Sequence, residues 1–113
     1  MSYIKVNLGG QERGLKFNQL AVEVFAKNIN LEAVQISSVY AMFYAGLIGN
    51  CVAKKVDQDF TFEQVTEWVD ELFENDPDKI KAVDACFSET QFYKNLITSI
   101  KDNVEQPEQE KKS

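Results

Sequence analysis

The chain has 113 residues, a formal net charge of −6 and no histidine, so it lacks the commonest metal ligand and general base. A hydrophobic content of 44%, with eight Phe, four Tyr and one Trp, argues against global disorder and suffices for one buried core. Because phosphate binding requires clustered Lys and Arg, the excess of 18 acidic over 12 basic residues predicts no nucleic-acid partner.

The first elements are predicted to be a β-hairpin and a helix. Tyr3 to Leu8 alternates between apolar and polar residues, and a second extended piece runs from about Glu12 to Phe17. The Gly9-Gly10 pair between them predicts a tight turn, because glycine accepts the positive φ that such turns require. A helix capped by Asn18 then follows through about Lys27. The predicted inner face of this helix consists of Leu20, Ala21, Val24 and Phe25.

Residues 33–53 form a long run without charge that fits either a membrane span or a buried helix. Ser37 and Ser38 indicate a helix start within the run, which leaves a helix of about sixteen residues, or about 24 Å. That length is short of a hydrocarbon core of about 30 Å. We therefore predict a buried central helix from Ser38 to Lys54 and no membrane segment. Its small residues, spaced for close approach by a neighbouring element, are Ala41, Ala45 and Gly49.

Three further helices are predicted after this run. Thr61 and Gln64 have the spacing of a capping box, and Asp76-Pro77 is typical of a helix start. Ser88 and Gln91 predict a second capping box before the last helix. The predicted inner positions are Phe62, Val65, Val69, Leu72 and Phe73 on the first of these helices, then Ile80, Val83 and Phe87 on the second. The last helix carries the apolar residues Phe92, Leu96, Ile97 and Ile100.

These elements predict a mainly α fold, with four to five helices around the buried central helix and a short N-terminal β-hairpin. We expect residues 1–103 to form a single helical domain and residues 104–113 to form a disordered polar tail. Stretch 28–32 is a predicted loop. Cys51 and Cys86 have apolar neighbours and no CxxC spacing, so we expect reduced, buried thiols. With no signal-peptide pattern at the N-terminus, a cytoplasmic location is expected.

No stretch has the pattern of a catalytic or cofactor site. The glycines of LGGQERG lack the spacing of a phosphate-binding loop, and the serines have no base partner. Glu63, Glu67 and Glu71 share one helix face and could hold a divalent cation, but a solvated face of an amphipathic helix explains them better. We therefore predict no enzymatic activity, no cofactor and no metal site.

Four side chains are candidates for partner binding: Trp68, Tyr93, Phe92 and Ile97. Trp68 lies beside the apolar stripe of its helix, so it either wraps the edge of the core or anchors a partner. The last helix carries an apolar stripe that predicts weak self-association, although a position between two core layers explains the same stripe. This stripe consists of Phe92, Tyr93, Leu96, Ile97, Ile100 and Val104.

Three motifs in order resemble those of the tail assembly chaperones of long-tailed bacteriophages and prophages. The first is the Phe motif LKFN at Leu15–Asn18, which follows a short hairpin. The second is the Ala-Gly-Leu signature at Tyr44–Leu47. The third is a helix start of the Leu-Thr-x-Glu-Asp-Val type at Phe60–Val65, continued by Trp68–Asp70. The resemblance covers residues 3–74 and leaves out the last two helices.

The resemblance implies a non-enzymatic protein of the infected cell's cytoplasm. Members of that family bind the long, helical tape measure protein during tail assembly and are absent from the finished particle. The expected partner is therefore the tape measure or another tail protein. The alternatives are a structural tail or head–tail connector protein retained in the virion and, less closely, a host regulatory domain that binds protein.

Overall fold

The computed structural model describes residues 3–28 and 35–98. These residues form a two-stranded antiparallel hairpin followed by helices, which confirms the predicted mainly α fold with an N-terminal hairpin. The elements are β1 (Tyr3–Leu8), β2 (Gln11–Lys16), α1 (Gln19–Asn28), α2 (Gln35–Lys54), α3 (Phe62–Asn75), α4 (Pro77–Ser88) and α5, whose described part is residues 91–98. Apart from Asn28, the predicted loop 28–32 lies outside the described residues, as do Ile100, Val104 and the predicted tail.

The hairpin has the register and turn that the sequence predicts. Tyr3 pairs with Lys16 at the open end, and Leu8 pairs with Gln11 next to the turn. Gly9 and Gly10 have φ values of 63° and 78°, so both turn positions use the conformation that glycine adopts without strain. β2 begins and ends one residue earlier than predicted.

Helix α2 begins at Gln35, so the predicted start at Ser37 and Ser38 is wrong. The residues that precede Gln35 lie outside the described part, and both serines lie within the helix. At 20 residues, α2 is about 30 Å long, so its length alone does not separate it from a membrane span. Its apolarity does: no helix among the described residues is both long and apolar enough to cross a bilayer.

The close approach predicted for the small-residue strip of α2 is present at Gly49, which lies against β2 and α1. Ala41, Ala45 and Gly49 are all buried. A Cβ placed on Gly49 would overlap the backbone carbonyl oxygen of Lys16 and lie 3.0 Å from the Cβ of Ala21. The absence of a side chain at Gly49 therefore lets β2 and α1 approach the middle of the fold closely.

Two predicted inner residues face outward instead. Leu20 is 37% exposed and Phe73 is 41% exposed, whereas Val22 is buried. Helix α1 packs mainly against α2. The face of α1 that α2 covers includes Val22 and leaves Leu20 exposed. On α3 the residues that are buried in the core are Val65, Val69 and Leu72.

The helix caps agree with the sequence at α3 and α4 and differ at α5. Thr61 and Gln64 form the predicted capping box, and Pro77 opens α4 after Asp76. At α5, however, the cap is Thr90. Its Oγ1 accepts a hydrogen bond from the backbone N–H of Tyr93 at 3.1 Å. The predicted cap at Ser88 is wrong because α4 continues through that residue.

Helix α2 ends in a Schellman motif that has a lysine where glycine is usual. The N–H of Val56 donates to the carbonyl of Cys51, and the N–H of Lys55 donates to the carbonyl of Val52. This pair of bonds requires a left-handed residue at the end of the helix. Lys55 occupies that position with a φ of 58°, a conformation that is unfavourable for a residue with a Cβ.

Candidate partner-binding surfaces

Trp68 is partly buried and is held by the hairpin and by the segment before α3. The guanidinium carbon of Arg13 lies 4.5 Å from the centroid of the indole ring, and the ring centroid of Phe60 lies at 6.4 Å. A Cβ on Gly9 would overlap the indole nitrogen. The absence of a side chain at Gly9 therefore permits both the positive φ of the turn and the close packing of Trp68. Much of the surface of the indole ring is therefore covered by other residues of this protein.

Arg13 links three parts of the chain at this position. Its Nη1 donates to Oδ1 of Asp59 at 3.0 Å, and its guanidinium also lies 5.9 Å from the Phe60 ring centroid. Its side chain is only 13% exposed. The hydrogen bond from Arg13 lowers the pKa of the Asp59 carboxyl group. Arg13 thus ties β2 to the segment between α2 and α3 and to α3 itself.

Tyr93 belongs to an aromatic cluster that joins α1, α4 and α5. Its ring centroid lies 4.6 Å from that of Phe87 and 6.5 Å from that of Phe25. Phe87 in turn stacks on Phe17 at 4.7 Å. Burial, aided by the negative charge of Asp84, raises the pKa of the Tyr93 hydroxyl group. Tyr93 therefore closes one side of the core.

Phe92 lies in a groove between α1 and α5, which we call the α1–α5 groove. The side chain of Phe92 is 41% exposed, and the groove has a volume of about 280 Å³. Its polar rim is formed by Gln19, Glu23 and Asn95. Its apolar lining consists of Val22, Ala26, Phe92 and Leu96. Of the four predicted partner residues, Phe92 alone lines this groove, and Ile97 is half-buried on the same helix.

A second groove runs along β1 and was not predicted from the sequence. We call it the β1 groove; its volume is about 370 Å³. One wall is the hairpin and the other is the α3–α4 corner, so Trp68 stands at one side of it. The only sequence signal was that a two-stranded sheet leaves strand edges free. The lining residues are Lys5, Val6, Asn7, Gly9, Gly10, Glu12, Trp68, Glu71, Leu72, Asn75, Asp76 and Lys79.

The candidate metal and nucleophile residues lie apart from these grooves, except for Glu71. Glu63, Glu67 and Glu71 are exposed on α3, and no cluster of His, Cys, Asp or Glu in residues 3–28 and 35–98 has a geometry suited to a metal. Cys51 and Cys86 form no disulfide, and both are partly buried. Burial raises the pKa of the thiol group in both, so neither has the lowered pKa of a nucleophilic cysteine.

The three motifs that resemble the phage family pack onto one another. A Cβ on Gly46 would lie 2.8 Å from the Phe17 ring and 2.9 Å from the Cβ of Leu15. The Tyr44 ring makes edge contacts with Phe60 and Phe62, with centroid distances of 6.0 Å and 5.2 Å. Residues of all three motifs therefore pack together in the same part of the interior. The chain itself matches no protein-family model, no curated protein and no solved structure.

Proposed function

We propose that this protein is a non-enzymatic tail assembly chaperone of a phage or prophage. In this role it binds the tape measure protein, or another long tail protein, in the cytoplasm of the bacterial host. The observation that carries the proposal is the contact among the three resembling motifs. The motifs match the family in order along the chain, and their side chains lie in one interior.

The partner is expected to bind outside these motifs, because their side chains are used in the interior. The α1–α5 groove has an apolar lining and a polar rim, which suits one face of an amphipathic helix. Phe92 offers a large apolar ring at this groove. Leu20 is also exposed on α1, the helix that contributes Val22 to the lining. Trp68 is a weaker candidate than Phe92, because Arg13 and Phe60 already contact its ring.

The test is co-expression with the tape measure protein, or another long tail protein, of the same phage or prophage. The wild-type chain should keep that protein soluble and co-purify with it. Phe92→Ser should weaken the complex by about 2 kcal/mol, or about 30-fold, as the loss of an aromatic anchor does. Phe73→Ser is the matched control, because Phe73 is also 41% exposed but lies on α3, away from the groove.

Three outcomes would contradict the proposal in different ways. If the long tail protein stays insoluble and no complex survives purification, the chaperone function is wrong. If Phe92→Ser and Phe73→Ser reduce capture equally, the chaperone function stands but the α1–α5 groove is the wrong surface. Abundant copies of this protein in finished particles would indicate the alternative, a structural tail or connector protein.

A further inference from the structure

We propose that the β1 groove binds an extended peptide segment of a partner protein, which adds a third strand to the hairpin along β1. The inference does not depend on the proposed chaperone function. It rests on the pairing of the hairpin, on the size of the groove, and on the charges that line it.

The register of the hairpin determines which backbone groups of β1 face the groove. Leu8 and Gln11 flank the two-residue turn, so they form a hydrogen-bonded pair. Hydrogen-bonded and non-hydrogen-bonded pairs alternate along an antiparallel ladder. Lys5 and Asn7 therefore occupy non-hydrogen-bonded positions, and their N–H and C=O groups point away from β2.

These outward groups are available for pairing. Lys5 and Asn7 both line the groove. Within the part of the chain that the structure describes, no hydrogen bond reaches their backbone from a helix or from a side chain. Unpaired N–H and C=O groups on a strand edge are the groups that an added strand binds in β-augmentation.

The size of the groove selects a single extended segment over a folded copy of this chain. One extended residue fills about 160 Å³, from a rise of about 3.3 Å, a strand spacing of about 4.8 Å and a layer of about 10 Å. A groove of about 370 Å³ thus has room for about two extended residues. This matches the spacing of Lys5 and Asn7, which are two positions apart on β1. A second copy that paired through its own β1 would bring its α3–α4 corner to the same edge, whereas a single extended segment would not.

The lining defines the side chains that the segment should carry. Trp68 and Leu72 border the apolar part of the groove, which suits a valine-sized residue. Three carboxylate residues and two lysines line the remainder, so the groove has a net negative charge and favours a basic neighbour. The charged lining residues are Lys5, Glu12, Glu71, Asp76 and Lys79.

The test uses the full-length, isotope-labelled chain and the blocked pentapeptide acetyl-Lys-Thr-Val-Thr-Lys-amide. Adding the peptide should shift the backbone amide signals of Lys5 and Asn7 more than those of Val6 and Leu8, which already donate to β2. With peptide at about ten times its dissociation constant, hydrogen exchange at Lys5 and Asn7 should slow about tenfold. The same peptide methylated on every amide nitrogen should have no effect.

A pair of variants tests the same point from the protein side. Asn7→Pro removes an outward N–H that the hairpin does not use, and proline is tolerated at such edge positions. It should abolish peptide binding, whereas Asn7→Ala, which keeps the N–H, should bind as the wild type does. If Asn7→Pro does not fold, as judged by circular dichroism, the methylated peptide alone provides the test.

The proposal is overturned if millimolar peptide leaves the Lys5 and Asn7 amides unchanged, or if the methylated peptide acts equally. It is also overturned if these two amides are already protected in the free chain. Protection that disappears on dilution would mean that a second copy pairs with β1. Protection that is independent of concentration would mean that another segment of the same chain occupies the groove.

Discussion

Replacing Gly49 with alanine should destabilise the protein, although the same change in an open helix stabilises it. Gly49 lies in α2, where a Cβ would overlap the carbonyl oxygen of Lys16 and lie 2.9 Å from Oδ1 of Asn18. The Lys16 oxygen is a backbone atom and cannot rotate away. Oδ1 of Asn18 caps α1 by accepting a hydrogen bond from the N–H of Ala21 at 2.9 Å, so moving it weakens a second element.

The magnitude follows from three opposing contributions. Alanine improves the helix propensity of α2 by about 1 kcal/mol over glycine. Forcing an extra carbon into a packed interior costs about 1–3 kcal/mol, and loss of the Asn18 cap costs about 1 kcal/mol more. Gly49→Ala should therefore lower the free energy of unfolding by about 1–3 kcal/mol, or the melting temperature by several degrees for a domain of this size.

Urea unfolding followed by far-UV circular dichroism measures this change, with Gly14→Ala as the matched control. The three atoms nearest to a Cβ on Gly14 all belong to the hydroxyl end of the Tyr3 ring, which can move aside. Gly14→Ala should therefore change the free energy of unfolding by no more than about 0.5 kcal/mol. If Gly49→Ala is as stable as the wild type or more stable, the close approach of β2 and α1 to α2 is wrong.

Two further predictions concern the segment that follows α2. Lys55→Gly should raise the free energy of unfolding by about 1 kcal/mol in the same assay, because glycine adopts the left-handed conformation of Lys55 without strain; a decrease would contradict the Schellman end of α2. Asp59→Asn should destabilise the protein at neutral pH by removing the ion pair with Arg13. Because Arg13 lowers the pKa of Asp59 in the folded state, the pair contributes stability above the pKa of the unfolded carboxyl group and loses it as the pH falls through the folded value. The difference between the wild type and Asp59→Asn should therefore shrink on acidification and in high salt, and a constant difference would refute the role of the ion pair.

The elements that the sequence predicts well are those whose signals are local. The Gly9-Gly10 turn and the Thr61–Gln64 capping box each lie within a few residues, so no distant contact is needed to recognise them. The spacing of Gly49 with Ala41 and Ala45 also predicts a point of close approach. In each case the residue type at that position strongly favours one local structure over the alternatives.

The elements that the sequence misses depend on contacts between distant residues. Ser88 and Thr90 can both cap a helix, and the choice depends on how far α4 continues while Phe87 stacks on Phe17. The outward position of Leu20 depends on how α1 is rotated against α2. Arg13 carries no local signal at all, because its ion-pair partner lies 46 residues away.

The packing of the resembling motifs determines how the function has to be tested. Leu15, Phe17 and Tyr44 lie in the interior or at its edge, so substitutions there would unfold the protein and would reduce binding of any partner for that reason alone. Phe92 and the outward backbone groups of Asn7 are different, because neither supports the core. The α1–α5 groove and the β1 groove share no lining residue. A partner that uses both must therefore present a helix to one groove and an extended segment to the other, and each contact can be removed while the other remains.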